Sequence, residues 1–324
     1  MREVEPSEWD GVLEELEVAD AYYRRAYVES ACVLEPGRTL LLEHEGTVFA
    51  GIIRGVEIVP EPRRSPAAAD VVTPYGYGGP AGGGTAGFWP AYDAWCREQG
   101  VVTTFVRFHP LYGNQYGAAV HVEPLASTIG WGLKAGDLLA GMHPKHRNAA
   151  RKAEGAGVTV EAVTGLGGFV PLYEESMRRA GAAAFYFFPP VYWEALERLG
   201  DGLARFDALA DEEVVASALC LASPPWLHYH LGATSEAGRR FGATTLLLLE
   251  AARWAQQGGY AVFHLGGGVG GARDSLHEFK RRFDPSGERE AAVGKAVHDA
   301  DAYRAVGGDP ADLSGFFPAY GLPR

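Results

Sequence analysis

The chain has 324 residues, of which 47% are hydrophobic and 22% are charged, and its formal net charge at pH 7 is -12. This composition excludes an intrinsically disordered protein, and the acidic balance argues against a broad nucleic-acid-binding surface, although not against a local basic groove. The length suggests two domains of roughly 150 residues each.

Three cysteines, Cys32, Cys96 and Cys220, are odd in number and far apart in sequence, which indicates reduced thiols in a cytosolic protein. The first twenty residues are acidic and contain no apolar core, so we expect no signal peptide. No stretch approaches the roughly 18 apolar residues that a membrane span requires. We therefore expect a cytoplasmic protein.

The first half predicts a helix, strands, a loop, a helix and a strand in that order. Apolar residues within 9–16 have helical spacing, and residues 38–59 predict two or three strands joined by a turn at Glu45-Gly46. The following segments are predicted as loop, helix, strand, loop and strand, at 70–87, 88–100, 101–108, 109–117 and 127–133 respectively.

The second half repeats this order. A helix begins near Pro144 and is followed by a strand up to residue 163, and residues 203–234 predict three strands with turns at Asp211-Glu212 and Pro224-Pro225. Further helices are predicted at 169–181, 190–200, 244–259 and 274–283, and further strands at 260–268 and 288–297.

The shared order of the two halves predicts a duplicated α/β fold with mixed, largely antiparallel sheets. We place domain 1 at residues 1–140 and domain 2 at residues 141–307. The tail at 308–324 is short and apolar, and we expect it to dock back on domain 1.

Several motifs resemble the FemA/FemX-type (FemAB) branch of the GNAT superfamily. In the second half these are HRNAARKAEGAGV, YFFPPVYWEAL, the segment from LGATSEAGRRFGATT to FHLGGG, and DSLHEFKRRF; in the first half they are DVVTPYGYGGP and VRFHPLYGN, and FFPAY resembles the usual end. The resemblance covers most of the chain from about residue 70. It implies two tandem GNAT-like domains of the compact FemX-like type, without a coiled-coil arm, that move an aminoacyl group from aminoacyl-tRNA to an amine on a peptidoglycan precursor.

Lys280 interrupts an apolar stripe. Leu276, Phe279 and Phe283 mark one helix face, and Lys280 occupies the i+4 position of that face, after a candidate N-cap at Asp274. Either its stem carries the ammonium group out to solvent, or an anionic group meets it inside. The resemblance implies a catalytic role, because the lysine of the family's Phe-Lys pair lines the channel where a fixed cation can stabilise an oxyanion.

Gly266, Gly268 and Gly271 satisfy the dinucleotide pattern G-x-G-x-x-G, with acidic residues at 288–290 near the required spacing. The pattern comes late in the chain, after strands that look antiparallel, which favours a tight turn over a nucleotide site. The resemblance implies that backbone amides at Gly266 and Gly267 approach the acyl donor.

Arg239 and Gly242 match the start of the acyl-CoA loop, Q/R-x-x-G-x-G/A, but Thr244 occupies the second small position. In that loop, backbone amides at a helix N-terminus hold a pyrophosphate. The half-match weakens binding of acetyl-CoA and leaves Arg239 as a candidate donor-binding residue.

Three residues near the end of one helix are candidates for binding the acceptor. Ser176 and Arg178 align with a Thr/Ser-x-Arg position that contacts substrate phosphate in FemX-like enzymes, and Arg179 is an equivalent candidate. An arginine fork suits a diphosphate better than a lysine does. The alternative is an exposed helix arginine with no ligand.

His109 precedes a proline where FemX-like proteins tend to carry an acidic residue, and Arg107 lies just upstream. This departure puts the usual peptidoglycan precursor in doubt, and a histidine can serve as a general base near neutral pH. Tyr75 and Tyr77 can stack on a sugar or peptide, or pack within a glycine-rich loop. A structural role for His109 is the alternative.

The sequence has one concentrated basic patch, comprising Lys145, His146, Arg147, Arg151 and Lys152. Arg147 and Arg151 share a helix face. The patch is either a solvated face or a local contact for a diphosphate or a tRNA backbone, which would be sensitive to salt.

His228, His230 and His264 resemble a histidine-rich metal site. The first two lie on one side of a strand, but no acidic or cysteine partner accompanies them. We therefore predict no metal.

These features predict a cytoplasmic FemX-like aminoacyltransferase that needs no cofactor, because an aminoacyl ester is already activated. The expected partners are aminoacyl-tRNA as donor and an anionic small molecule or glycopeptide as acceptor. One alternative is an acetyl-CoA-dependent N-acyltransferase, and another is a GNAT-like module that binds a glycan or protein without catalysis.

Overall fold

A computed structural model describes residues 1–56, 68–84, 87–134 and 136–321. The chain packs as two compact units. The first comprises Met1–Leu125 and Glu290–Arg324, and the second comprises Ala126–Arg289.

The first unit contains helices on a mostly antiparallel set of strands. Its strands follow the order β1-β2-β3-β4-β6-β13, with β5 beside β3, and only β4 and β6 are parallel. The strands are β1 (Arg2–Glu3), β2 (Arg38–His44), β3 (Thr47–Gly55), β4 (Ala69–Val72), β5 (Ala81–Gly82), β6 (Val101–Arg107) and β13 (Glu288–Val297). The helices are α1 (Trp9–Glu15), α2 (Arg25–Leu34), α3 (Phe88–Glu98) and α11 (Ala300–Ala305).

Local sequence explains the hairpin and the main helix of this unit. Glu45 and Gly46 both have positive φ, +49° and +76°, which is the backbone of the tight turn that suits a twisted hairpin. The apolar face of α3 is buried on the sheet through Phe88, Tyr92 and Cys96.

The segment after α11 packs on the same unit. Phe317 is buried with Val102 and Tyr303, and the Tyr320 hydroxyl hydrogen-bonds to Thr103 Oγ1 at 2.7 Å. Lys295, on β13, donates to the carbonyl oxygens of residues 313 and 315.

The second unit has the strand order β7-β12-β11-β10-β9-β8, in which only β11 and β12 are parallel. The strands are β7 (His121–Gly132), β8 (Thr159–Val163), β9 (Leu203–Ala210), β10 (Glu213–Ser223), β11 (Trp226–Thr234) and β12 (Val262–Gly266). The helices are α4 (Leu138–Gly141), α5 (Pro144–Gly155), α6 (Phe169–Ala180), α7 (Pro190–Glu197), α8 (Glu236–Phe241), α9 (Ala243–Gln257) and α10 (Ser275–Arg281).

Helix α9 lies at the centre of the core of the second unit. Its four consecutive leucines, 246–249, are all buried, because the helix packs against strands on one side and against α5 on the other. Among the described residues it is the longest helix, with 15 residues, which confirms the compact type without a coiled-coil arm. The strand pairings of both units confirm the mixed, largely antiparallel sheets.

Two details differ from the sequence analysis. Residues 70–72, predicted as loop, belong to β4, because β3 and β6 pair on either side and override the glycines and prolines that follow. The compact units also divide the chain at 125 and 289 rather than at 140 and 307, because β13 pairs with β6 of the first unit.

A possible third strand at 57–59 lies outside the described residues. In the part of the chain that the structure describes, no helix combines the length and apolar character that crossing a membrane requires. Cys32, Cys96 and Cys220 are all free thiols.

Candidate active site

The strands of the second unit separate where β11 and β12 part. These parallel strands pair at three positions, and the last pair is His228 with His264. Beyond this point β11 continues along β10 to Thr234, whereas β12 pairs with β7 and ends at Gly266. Separating parallel strands leave a crevice beyond their carboxyl ends, where α/β sheets commonly bind ligands.

A glycine-rich segment, 266–271, follows β12 at this crevice. Gly266 and Gly271 have φ of +74° and +76°, a conformation that strains other residues. At Gly268 a Cβ atom would lie 2.2 Å from the Ala272 carbonyl oxygen, so no side chain fits. Because these positions favour glycine, the turn can fold tightly and place its backbone N–H and C=O groups beside the end of β12.

Asp274 fixes this turn to α10. One carboxylate oxygen accepts from the backbone N–H of His277 at 2.8 Å as an N-cap, and the other accepts from the N–H of Val269 at 3.0 Å. These backbone hydrogen bonds lower the pKa of Asp274 below its ordinary value.

We expect Asp274→Ala to destabilise the protein by about 1 kcal/mol, because both the cap and the loop anchor are lost, and to lower the rate of the acyl transfer that the sequence resemblance implies roughly tenfold. Urea unfolding and a transfer assay measure the two effects. Asp299→Ala is the matched control, since Asp299 caps α11 of the first unit through the N–H groups of Asp301 and Ala302. Equal loss of activity in both variants would contradict a specific role for Asp274.

Lys280 lies inside the protein, and its ammonium group does not extend into solvent. The residue is 8% exposed, and Nζ donates a hydrogen bond to the carbonyl oxygen of Gly267 at 2.7 Å. Nζ also lies 5.7 Å from the centre of the Tyr229 ring, on β11. The amine is therefore held between the glycine-rich turn and the strand that separates from β12.

Burial lowers the pKa of Lys280 from 10.5 to about 8, and the Asp274 carboxylate offsets part of this shift. At neutral pH a lysine with this pKa is still mostly cationic, and a small rise in pH removes its charge. Perturbed lysines of this kind are concentrated at functional sites.

Tyr229 is a site residue that the sequence analysis missed. A Cβ atom at Gly232 would lie 1.7 Å from the Tyr229 hydroxyl oxygen, so only glycine leaves room for this ring beside Lys280. Burial raises the pKa of the Tyr229 hydroxyl well above its usual range. In the sequence, Gly232, three residues after Tyr229, was the signal that could have identified Tyr229 as a site residue.

Comparison with known proteins finds a domain match and similar folds. Residues 142–281 match the family model described as an acetyltransferase (GNAT) domain, and this range includes Lys280. The crystal structure of FemX matches with a TM-score of 0.67 at 13% sequence identity, over 94% of this chain and 99% of FemX. The whole chain therefore has the fold of FemX, and its residues 142–281 carry the match to a GNAT acetyltransferase domain.

Two further solved structures are similar to this chain. The C-terminal domain of a putative lysylphosphatidylglycerol synthetase from Agrobacterium fabrum has a TM-score of 0.57 at 16% identity, over 91% of this chain and 95% of that one. L-PGS from Bacillus licheniformis has a TM-score of 0.58 at 14% identity, over 90% of this chain and 92% of that one. No curated protein matches the sequence.

The predicted acceptor-binding residues of the second unit have different surroundings. Ser176 Oγ accepts from the N–H of Thr234 at 3.4 Å, and Arg179 donates to the Thr234 carbonyl oxygen, so both secure the end of β11. Arg178 is exposed and pairs with Glu174 one turn away. Of the two arginines, Arg178 is the one whose guanidinium faces solvent, and its contact with phosphate stays a prediction.

Arg147 is engaged by backbone rather than presented to a ligand. Its Nη1 donates to the carbonyl oxygens of Met142 at 2.6 Å and Ala140 at 3.2 Å, at the end of α4. Arg239 is exposed on α8. Their assigned roles in binding acceptor and donor remain predictions.

The histidines on β11 and β12 bond within the protein. His228 Nδ1 and His264 Nδ1 lie 3.2 Å apart, and His264 Nε2 lies 3.0 Å from Thr128 Oγ1. His230 Nε2 lies 2.8 Å from the Tyr192 hydroxyl, and burial lowers the pKa of His230 to about 3. These hydrogen-bond partners within the protein account for the histidine pattern in the sequence.

The predicted residues of the first unit form a buried aromatic group. His109 is fully buried; its Nδ1 accepts from the N–H groups of Leu111 and Tyr112 at 3.3 Å, and its Nε2 lies 3.4 Å from Asp20 Oδ2. The Tyr77 ring packs edge-on against it, and burial raises the pKa of Tyr77.

Arg107 and Tyr75 border this aromatic group through backbone contacts. Arg107 donates to the Thr73 carbonyl oxygen at 3.2 Å, and the carbonyl oxygen of Tyr75 accepts from the Tyr27 hydroxyl. The roles of Arg107, Tyr75, Tyr77 and His109 in binding or catalysis remain predictions about the first unit.

Proposed function

We propose that this acyltransferase moves an aminoacyl group from aminoacyl-tRNA to an amine on a cell-wall precursor or a related glycan or peptide. The observation that supports this most is the Lys280 ammonium group, held inside the second unit beside the separating ends of β11 and β12. Attack of an amine on an ester develops negative charge on the carbonyl oxygen, and a preorganised cation in a dry site stabilises that charge.

The neighbours favour an aminoacyl donor. FemX, the Agrobacterium fabrum domain and L-PGS from Bacillus licheniformis share the fold over at least 90% of this chain. The Agrobacterium fabrum protein is named for lysyl chemistry, which is aminoacyl chemistry. Such a donor needs no metal or nucleotide cofactor from the protein and places the reaction in the cytoplasm.

The packing at the start of α9 also favours a donor other than CoA. The turn at Gly242 is where CoA-dependent GNAT enzymes hold pyrophosphate, and here a Cβ at Gly242 would lie 3.5 Å from the Ala149 carbonyl oxygen of α5. Lys152 of α5 donates to the Arg240 carbonyl oxygen at 2.7 Å. Helix α5 thus packs against this turn, and Thr244 adds bulk to it.

We propose Arg178 as the contact for an anionic group of the acceptor, since its guanidinium is exposed and makes one surface ion pair. An arginine fork can exchange such a pair for a bidentate contact with phosphate. A substrate with a diphosphate or carboxylate beside its amine fits this arrangement.

A parallel transfer assay tests the donor. The protein is incubated with tRNAs charged with labelled amino acids or with labelled acetyl-CoA, each with a panel containing a lysine-bearing cell-wall precursor, an amino sugar and a peptide. We expect label to move from tRNA to one acceptor. Transfer from acetyl-CoA alone would overturn the donor proposal, and ligand binding without transfer in either assay, unchanged in Lys280→Ala, would identify a non-catalytic module.

A further inference from the structure

His277 lies one turn before Lys280 on α10, on the same face of the helix, and is fully buried. The two side chains reach the same corner of the second unit. Lys280 bonds to the Gly267 carbonyl oxygen, and a Cβ at Gly267 would lie 3.4 Å from the carbonyl oxygen of Ser127, the residue that contacts His277.

A chain of polar groups fixes the proton on the His277 ring. Ser127 Oγ donates to Glu288 Oε2 at 3.0 Å, because a carboxylate can only accept. Arg273 donates both to Glu288 Oε2 at 2.8 Å and to Ser127 Oγ at 3.3 Å. The single hydroxyl proton of Ser127 is thus committed to Glu288, so at 3.1 Å the His277 Nε2 must be a donor to Ser127 Oγ.

With the proton on Nε2, Nδ1 of the neutral ring is an acceptor. Within the described parts of the chain, no group donates a hydrogen bond to it. Glu278 Oε1 lies 4.0 Å from Nδ1, which is beyond hydrogen-bond distance, and it is itself an acceptor. A buried acceptor without a partner typically costs about 1–3 kcal/mol, so its presence calls for an explanation.

We propose that His277 Nδ1 accepts the proton that the substrate amine loses as it attacks the acyl carbonyl, an inference that rests on the proposed function of this site. The amine nitrogen bonds to the carbonyl carbon, and the carbonyl oxygen becomes an oxyanion beside Lys280. The N–H proton passes to Nδ1, and the imidazolium returns it to the ribose oxygen as the ester C–O bond breaks. Amide and free hydroxyl result, and His277 ends neutral.

The charges around His277 suit this cycle. Three nearby carboxylates attract the positive charge that the ring carries during the transfer, whereas two nearby cations repel it. The carboxylates are those of Asp274 at the N-cap of α10, Glu278 within α10 and Glu288 at the start of β13, and the cations are Arg273 in the preceding loop and Lys280 on the same helix face.

His277→Gln isolates the proton transfer. Glutamine can place an amide donor near the position of Nε2, toward Ser127, but it has no titratable acceptor. We expect kcat to fall about 100-fold with little change in KM, and the acid limb of the pH–rate profile to disappear. His298→Gln is the matched control: His298 is a buried histidine of the first unit whose ring nitrogens bond to Asp93 and Thr104, and its loss should leave the pH profile unchanged.

A kcat for His277→Gln within a few-fold of the parent value, or a loss of rate with an unchanged pH profile, would overturn the proposal. The tautomer gives a test that does not depend on the donor. In ¹⁵N spectra of the unmodified protein, a proton on Nε2 with an unprotonated Nδ1 supports it, and a proton on Nδ1 refutes it. Failure of the aminoacyl-tRNA assay alone would refute the donor and leave this result standing, since acyl transfer from a thioester needs the same proton acceptor.

Discussion

Replacing Lys280 by methionine is expected to lower kcat by about 100-fold or more while making the fold more stable at pH 7. Methionine keeps the length and apolar stem but removes the cation that faces the oxyanion, and losing one such group costs about 100- to 1000-fold in rate. It also removes a buried charge. Because the pKa of Lys280 is about 8 in the folded protein against 10.5 ordinarily, the penalty for burying the ammonium group is about 3 kcal/mol.

The lowered pKa of Lys280 determines how the stability of the protein changes with pH. Below pH 8 the lysine is protonated in both the folded and unfolded states, so the full penalty is present. Between pH 8 and 10.5 the folded protein releases its proton first, and the unmodified protein gains stability with rising pH. The methionine variant should lack this gain.

Denaturant unfolding at pH 7 and pH 10.5, with single-turnover transfer at pH 7, measures both effects. Lys134→Met is the matched control, since Lys134 is exposed in the same unit and should change neither quantity. A Lys280→Met variant that retains full activity would remove the oxyanion role from the mechanism.

Asp70→Ala is expected to destabilise the protein by about 2–3 kcal/mol, because it leaves the partly buried Arg54 with Glu35 as its remaining partner. Both Asp70 oxygens accept from Arg54, from Nε and Nη2 at 2.7 Å each, and Glu35 completes the group. Burial alone would lower the pKa of Arg54, yet the hydrogen bonds and charges of Asp70 and Glu35 raise it above its ordinary value.

Urea unfolding measures this loss, and two variants complete the experiment. Asp301→Ala removes an exposed partner of Arg304 and should change stability by less than about 1 kcal/mol. The triple variant Arg54→Met, Asp70→Leu and Glu35→Leu should recover most of the loss, since well-packed apolar groups can replace a buried group of ion pairs. A loss below about 1 kcal/mol in Asp70→Ala would show that Arg54 finds other partners.

Local patterns predicted much of the fold. The period of apolar residues located α9 and α10, and the dipeptides Glu45-Gly46 and Asp211-Glu212 located turns whose residues do have positive φ. The strand at 69–72 was not predicted, because its pairing with β3 and β6 depends on residues distant in sequence and outweighs the loop-forming residues beside it.

A site residue could be predicted from the sequence only where the pattern of its own helix or strand points to it. The position of Lys280 in an apolar stripe singled out this residue without any structure, although it left open whether the ammonium group is buried or reaches solvent. His277 stands in the same helix, but its significance depends on Ser127, 150 residues away, which no local pattern reveals. Likewise, the binding of Arg179 to the backbone of β11 arises from packing between α6 and that strand, so the sequence could not separate Arg179 from Arg178.

The discontinuous first unit has a consequence for synthesis on the ribosome. Residues 1–125 of this unit are synthesised before the second unit. Strand β13 is synthesised after it, and so are residues 313 and 315, whose carbonyl oxygens accept hydrogen bonds from Lys295. Domains usually fold in the order in which they are made. Here residues 1–125, although translated first, cannot complete their fold until the second unit has been synthesised and has folded. During that time they need protection from aggregation.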